Sequence, residues 1–158
     1  MPAPRFEYID GVRRLYYGLS AYCDDQIGRL IRFLDESGLR RDTLVIFTSD
    51  HGTELFNHGF DNKHNYYDAT WRVPLIASMP GTLPQGERRS FAVLHDITAT
   101  ILAAAGVDAP FVQGVDLLGV RGRGEAALPK APRQCAVGTL YRSCALATKR
   151  WKLEYYFD

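Results

Sequence analysis

Cysteine is scarce and poorly spaced for chemistry. Cys23, Cys135 and Cys144 are the three in the chain, an odd count with no CxxC pair, which excludes a disulfide framework and a thiolate metal cage. They are expected as buried free thiols. No sign of charge dominates: 19 Lys and Arg against 18 Asp and Glu leave a net charge of +1, so the charge balance offers nothing to nucleic acid or an anionic membrane surface. No apolar run approaches the roughly 18 residues of a membrane span. Met1-Pro2-Ala3-Pro4-Arg5 lacks the apolar stretch of a signal peptide, from which a cytoplasmic location is expected for the chain as it stands. None of Asn57, Asn62 and Asn65 begins an N-x-S/T sequon. There is no internal repeat and no low-complexity tract.

What remains is an ordinary globular composition, 158 residues with 46% hydrophobic and 23% charged, enough for one domain with a core. Val12, Leu15, Tyr16, Leu19, Cys23, Ile27, Leu30, Ile31 and Leu34 recur at steps of three and four, which predicts an amphipathic helix from about Val12 to Ser37. Gly38 is placed to end it in a left-handed conformation. Thr43 to Ser49 is a continuous apolar strand, the kind usually covered on both faces. Val73 to Met79 reads as a second strand, with Pro74 near its start. His95 to Ala105 reads as a helix with Ile97, Ile101, Leu102 and Ala105 inward, capped by His95 or Asp96. Residues 107–133 look irregular. Ala136–Leu140, Ser143–Thr148 and Trp151–Phe157 then predict an antiparallel meander with tight connections.

Between the first two strands lies a long stretch, residues 50–72, with little hydrophobic periodicity. Such loops are functional or disordered, and Phe56, Phe60, Tyr66, Tyr67 and Trp71 argue against disorder. It opens with Thr48-Ser49-Asp50-His51-Gly52, a carboxylate beside an imidazole at a strand end, where open α/β sheets build their sites. If the backbone turns there, both side chains reach one ion. A carboxylate suits hard cations, and an imidazole widens the choice to manganese, iron or zinc. On spacing alone the pair reads more often as a capping Asp beside a solvated His. Lys63, among Asp61, Asn62, His64 and Asn65, reads as a solvated charge or as a cation reaching back toward an anion. His58 adds a second imidazole to the loop.

The order of these features resembles the sulfatase branch of the alkaline phosphatase superfamily. Tyr22 to Gly28 followed by Leu39 to Gly52 (LRRDTLVIFTSDHG) resembles the family's helix, strand and metal segment. His58-Gly59, Lys63, Tyr67 and Trp71 to Ile76 (WRVPLI) resemble the following loop and strand. Asp96 to Leu102 (DITATIL) with Ala105-Gly106, and Gly114 to Leu118 (GVDLL), resemble the next helix and connection, and Trp151-Lys152-Leu153 fits a late β-ribbon. The resemblance implies an α/β fold, part of an alkaline-phosphatase-like sheet flanked by helices. Residues 1–133 would be the C-terminal part of the catalytic domain, and 134–158 the antiparallel strands of an incomplete C-terminal subdomain. It implies Asp50 and His51 as metal ligands, Lys63 as the catalytic sulfate contact and His58 as a residue shaping the substrate pocket. Calcium is the metal the family implies first, with manganese or magnesium as alternatives; the family usually has Asn beside the Asp when calcium is bound.

The family's nucleophile is a formylglycine made from Cys or Ser in a C/S-x-P/A-x-R motif. None of Cys23, Cys135 and Cys144, and none of Ser20, Ser37, Ser49, Ser78, Ser90 and Ser143, begins that motif. The expected function is therefore a sulfuric ester hydrolase fragment, inactive by itself, acting on a sulfate ester once completed. The alternatives are a phosphonate monoester or phosphodiester hydrolase of the same superfamily, or a non-catalytic fragment that binds an anion or a partner. The strand Thr43–Ser49 is expected to leave an edge that seeks the missing N-terminal half or a self-association partner. Neither nucleic acid nor a membrane is expected as a partner.

Overall fold

The computed structural model describes residues 5–87, 90–120 and 133–157. These fall into two compact units, one drawn from residues 1–43 and 47–76, the other from residues 44–46 and 77–158. The glycines and prolines of the expected irregular segment between 121 and 132 lie outside the described residues.

The first unit begins with α1 (Phe6–Glu36), a helix of 31 residues. It starts six residues before the expected Val12. Glu7 in the first turn suits the positive end of the helix dipole, and Gly11 costs only about 1 kcal/mol relative to Ala, too little to stop it. Gly38, at φ +72°, ends the chain's helical path as expected. The apolar stripe is present, but Leu34 is its one buried residue. Leu15, Leu19 and Leu30 are exposed, and Cys23 is an exposed thiol rather than a buried one. Cys135 and Cys144 are half-buried and free.

β1 (Val45–Thr48) and β2 (Leu75–Ser78) pair as a two-stranded sheet. Both are shorter than the apolar runs predicted, and Phe47, Leu75 and Ile76 are exposed, so the two-sided cover expected of such strands is incomplete. The loop between them is not structureless. It holds a 3₁₀ turn, Asn57–Gly59, and a single helical turn, α2 (Asp68–Trp71). Tyr66 is buried and meets Trp71 edge-on at 5.5 Å, so the aromatics do order the segment.

In the second unit, Met79, Leu118 and Val120 form a core with Leu44, Ala77, Leu83, Ala104 and Leu117 packed on it. α3 (Leu94–Ala104) turns an unexpected face inward. Its buried residues are Asp96 and Thr100, whereas Ile101 and Ala105 are exposed. The reason is polar: Asp96 accepts N–H bonds from Val93 and Val115 at 2.9 Å each, and Thr100 Oγ1 accepts that of Leu117 at 3.0 Å. Asp96 therefore serves the helix start from the third position, with Val93 as the N-cap. Arg133 Nη2 lies 2.6 Å from the same carboxylate. β3 (Ala136–Leu140), β4 (Ser143–Ala147) and β5 (Lys152–Tyr156) form the predicted antiparallel meander. Leu140 faces Ser143 across the first turn, and Ala147 faces Lys152 at the second.

Candidate functional site

The end of β1 is fixed by backbone contact. The Gly52 N–H donates to Thr70 O at 2.8 Å, and a Cβ on Gly52 would sit 2.0 Å from Ala69 O. Only glycine lets the strand end approach α2 this closely.

That contact presents Asp50 and His51 side by side. Asp50 Oδ1 accepts the His51 N–H at 2.9 Å, and the Ser49 hydroxyl donates to His51 O at 2.8 Å. Asp50 Oδ2 is left 3.4 Å from His51 Nε2. The ring is oriented by its other nitrogen, since Nδ1 lies 2.8 Å from Gly52 O. A carbonyl only accepts, so Nδ1 carries the hydrogen and Nε2 presents its lone pair. Lys63 Nζ sits 2.5 Å from that lone pair. The ammonium is a stand-in cation at the point where an imidazole would bind a metal, with a carboxylate oxygen beside it. The Asp50 carboxyl is held below its ordinary range, first by the His51 N–H bond, against an opposing effect of desolvation, with the nearby Lys63 charge acting in the same lowering direction.

Three of the four expected site residues therefore converge within one unit, with Lys63 arriving twelve positions after His51. His58 makes no hydrogen bond to the other three. It lies in the 3₁₀ turn with φ +53° and stacks on Tyr67 at 4.0 Å. Among the described residues, no group of three or more His, Cys, Asp or Glu is arranged to hold a metal ion. Asp50 and His51 supply two donors of suitable type, hard oxygen and imidazole nitrogen, so they fit a divalent cation but do not enclose one.

Reading the sequence did not single out what lies beneath this cluster. Glu54 is fully buried, and Thr70 and Tyr66 are nearly so. The Thr70 hydroxyl lies 2.7 Å from Glu54 Oε1 and 2.9 Å from Asn65 Oδ1. Leu55, Phe56, His58 and His64 all have positive φ, a conformation costing non-glycine residues on the order of 1 kcal/mol or more.

The Sulfatase family profile matches residues 3–107. The chain belongs to the sulfatase family. It is 31% identical over 147 residues to the choline-sulfatase of Rhizobium meliloti (strain 1021), covering 90% of this chain and 28% of that protein. It is 37% identical over 101 residues to the multifunctional alkaline phosphatase superfamily protein PehA of Trinickia caryophylli, covering 63% of this chain and 20% of the relative. The solved structure of BT4656 in complex with its substrate D-glucosamine-2-N,6-O-disulfate superposes with a TM-score of 0.74 at 29% identity, covering 84% of this chain and 29% of that one. The fold is thus the α/β, alkaline-phosphatase-like kind seen in solved sulfatases. The sulfatase-family chain spans less than a third of each of these relatives.

Proposed function

We propose that these residues form one side of a sulfuric ester hydrolase site, with Asp50 and His51 as ligands to a divalent cation and Lys63 as the contact to the sulfate. The observation that carries this reading is the convergence of Asp50 Oδ2, His51 Nε2 and Lys63 Nζ on one point, within 3.4 Å and 2.5 Å of the imidazole nitrogen. Membership of the sulfatase family supports the reaction class.

The bound cation would supply Lewis-acid stabilisation of negative charge on the sulfate oxygens. Asp50 brings a carboxylate whose titration is shifted toward lower pH by the His51 N–H bond. His51 brings a lone pair whose direction is set by the Nδ1–Gly52 bond. Lys63, drawn off His51, places a positive charge against a sulfate oxygen that gains charge in the transition state. Calcium is the family's first metal, and manganese or magnesium suit the same pair. A hard divalent ion takes six or more ligands, so binding by two side chains is weak. The formylglycine motif does not occur in the 158 residues, so these residues by themselves turn over no sulfate ester. The complete site acts on a sulfate ester, the class of substrate seen in the BT4656 complex.

A second reading, hydrolysis of a phosphonate monoester or phosphodiester, is favoured by one feature: His51 stands where calcium sulfatases usually have Asn. The likeness to the multifunctional PehA is consistent with it.

Manganese titrated calorimetrically into the chain tests the ligand assignment. Saturable binding that disappears in Asp50→Ala and His51→Ala is expected. Binding indifferent to both substitutions, or none at all, overturns it. Turnover of an aryl sulfate by the chain that vanishes in Asp50→Ala would overturn the inference of inactivity. In a form that carries the nucleophile, a preference for phosphonate or phosphodiester over sulfate esters would select the second reading.

A further inference from the structure

Glu54 has no place in the metal or sulfate chemistry, yet it is the most deeply buried charged residue of its unit, with no exposure to solvent. Its backbone N–H donates to Asn62 O at 3.1 Å, immediately before Lys63. Its carboxylate accepts from the Thr70 hydroxyl at 2.7 Å, and Asn65 Oδ1, two residues after Lys63, packs 2.9 Å from the same hydroxyl oxygen and shares its single hydrogen. Asn65 Oδ1 in turn accepts the Tyr67 N–H at 2.9 Å. Thr70 O holds the Gly52 N–H, which ties the same assembly to the residue following His51. Glu54 thus grips the lysine segment on both sides and joins it to the strand end bearing Asp50 and His51. The adjoining backbone needs such a grip, because Leu55, Phe56 and His64 hold positive φ angles that relax unless the surroundings fix them. The grip carries a cost: Glu54 Oε2 and Asn65 Nδ2 are buried without a hydrogen-bond partner among the described residues, an unfavourable arrangement for polar groups taken out of water.

We infer that Glu54 is a positioning residue of the site, acting through Thr70 and Asn65 to hold Lys63 over His51 Nε2. The inference rests on the proposed role of Lys63 for its functional meaning, but the placement itself is measurable independently. A lysine left free on a flexible segment would approach the anion from many directions, and orientation is a large part of what a preformed site contributes.

The test uses long-range 1H–15N NMR of the His51 ring in the 158-residue chain. Lys63→Met gives the signature of a His51 Nε2 without its lysine. Glu54→Ala is expected to reproduce that signature while the chain still melts cooperatively, and Glu54→Gln, which keeps a side-chain oxygen for Thr70, is expected to restore the wild-type spectrum. Should Glu54→Ala not fold, Thr70→Val removes the bridging hydroxyl at nearly constant volume and carries the same expectation. A wild-type His51 spectrum in Glu54→Ala, or in Thr70→Val if Glu54→Ala does not fold, overturns the inference. So does a Glu54→Gln spectrum that matches Lys63→Met. Inorganic sulfate is then titrated in the presence of manganese. Affinity roughly tenfold weaker in Glu54→Ala and near wild type in Glu54→Gln is expected, a change of about 1.4 kcal/mol. A wild-type chain that ignores sulfate, while His51 still responds to Glu54, refutes the sulfate site and leaves the positioning role standing.

Discussion

Lys63 Nζ and His51 Nε2 lie 2.5 Å apart, so the lysine occupies the imidazole lone pair. Under the proposed ligand assignment, lysine and metal compete for that one nitrogen. Lys63→Met should bind manganese more tightly than wild type by about fivefold or more, since like unit charges ~4 Å apart in water repel by about 1 kcal/mol. The same variant should lose its response to inorganic sulfate. Calorimetry reads both, and weaker manganese binding by Lys63→Met would show that the lysine does not compete.

The pH behaviour of Asp50 follows from the direction of its shift. Its carboxyl titrates below the ordinary value of 3.8 in the folded chain. A lowered folded-state value stabilises the fold above the unfolded-state range, and that contribution fades as pH falls through the lowered value. A 13C titration of the Asp50 carboxyl should give a midpoint below 3.8, moving upward in Lys63→Met as one favourable charge is lost. A midpoint at or above the ordinary value in the wild type would contradict the hydrogen bond from the His51 N–H as its main cause.

Gly52→Ala should damage the site without touching any donor. The new methyl would lie 2.0 Å from Ala69 O, a backbone atom that cannot swing aside. Overpacking of this kind costs about 1–3 kcal/mol, and the strand end must back away from α2. Thermal unfolding should show the loss, and manganese affinity should fall with it. An unchanged melting temperature would mean that α2 yields freely.

Asp96→Ala should separate stability from the site. The substitution removes the carboxylate from Arg133 and leaves the Val93 and Val115 N–H groups without their acceptor. Breaking a buried pair from one side costs about 3–5 kcal/mol. Urea unfolding should show a loss of that order. The residues that meet at His51 belong to the other unit and make no hydrogen bond to Asp96, so in the fraction still folded the His51 ring spectrum should stay wild type.

Periodicity carried much of the fold. The three strands of the meander appear where alternation and tight connections put them, α3 appears within one residue of its predicted ends, and α1 begins six residues early. Of the apolar residues expected inward on α3, Ile97 and Leu102 are half-buried, Ile101 and Ala105 are exposed, and the fully buried positions are polar. The segment around Val115 and Leu117 needed acceptors, and Asp96 and Thr100 supply them. Asp50 and His51 stand out as an unusual strand end even without a family in mind. The arrival of Lys63 at His51 depends on the path of a loop that has no period, and the family resemblance was what pointed to it. Glu54 gave no signal, since a carboxylate in a polar loop looks like a solvated one until Thr70 and Asn65 close over it.

The bare stretch of α1 reverses the usual wear of a helix. Free helices fray from their tips inward. This one is pinned near its start, where Tyr8 meets Phe56 at 5.9 Å and Arg13 Nε donates to Leu55 O at 2.8 Å, and near its end by buried Leu34. Residues 14–25 are exposed throughout. Side-chain pairs on such a surface, like Arg14 with Asp10 at its edge, add a few tenths of a kcal/mol. The helix behaves as a beam clamped at both supports and unloaded at midspan. Its amide hydrogens should exchange with solvent first around Leu19 and last beside the two anchors.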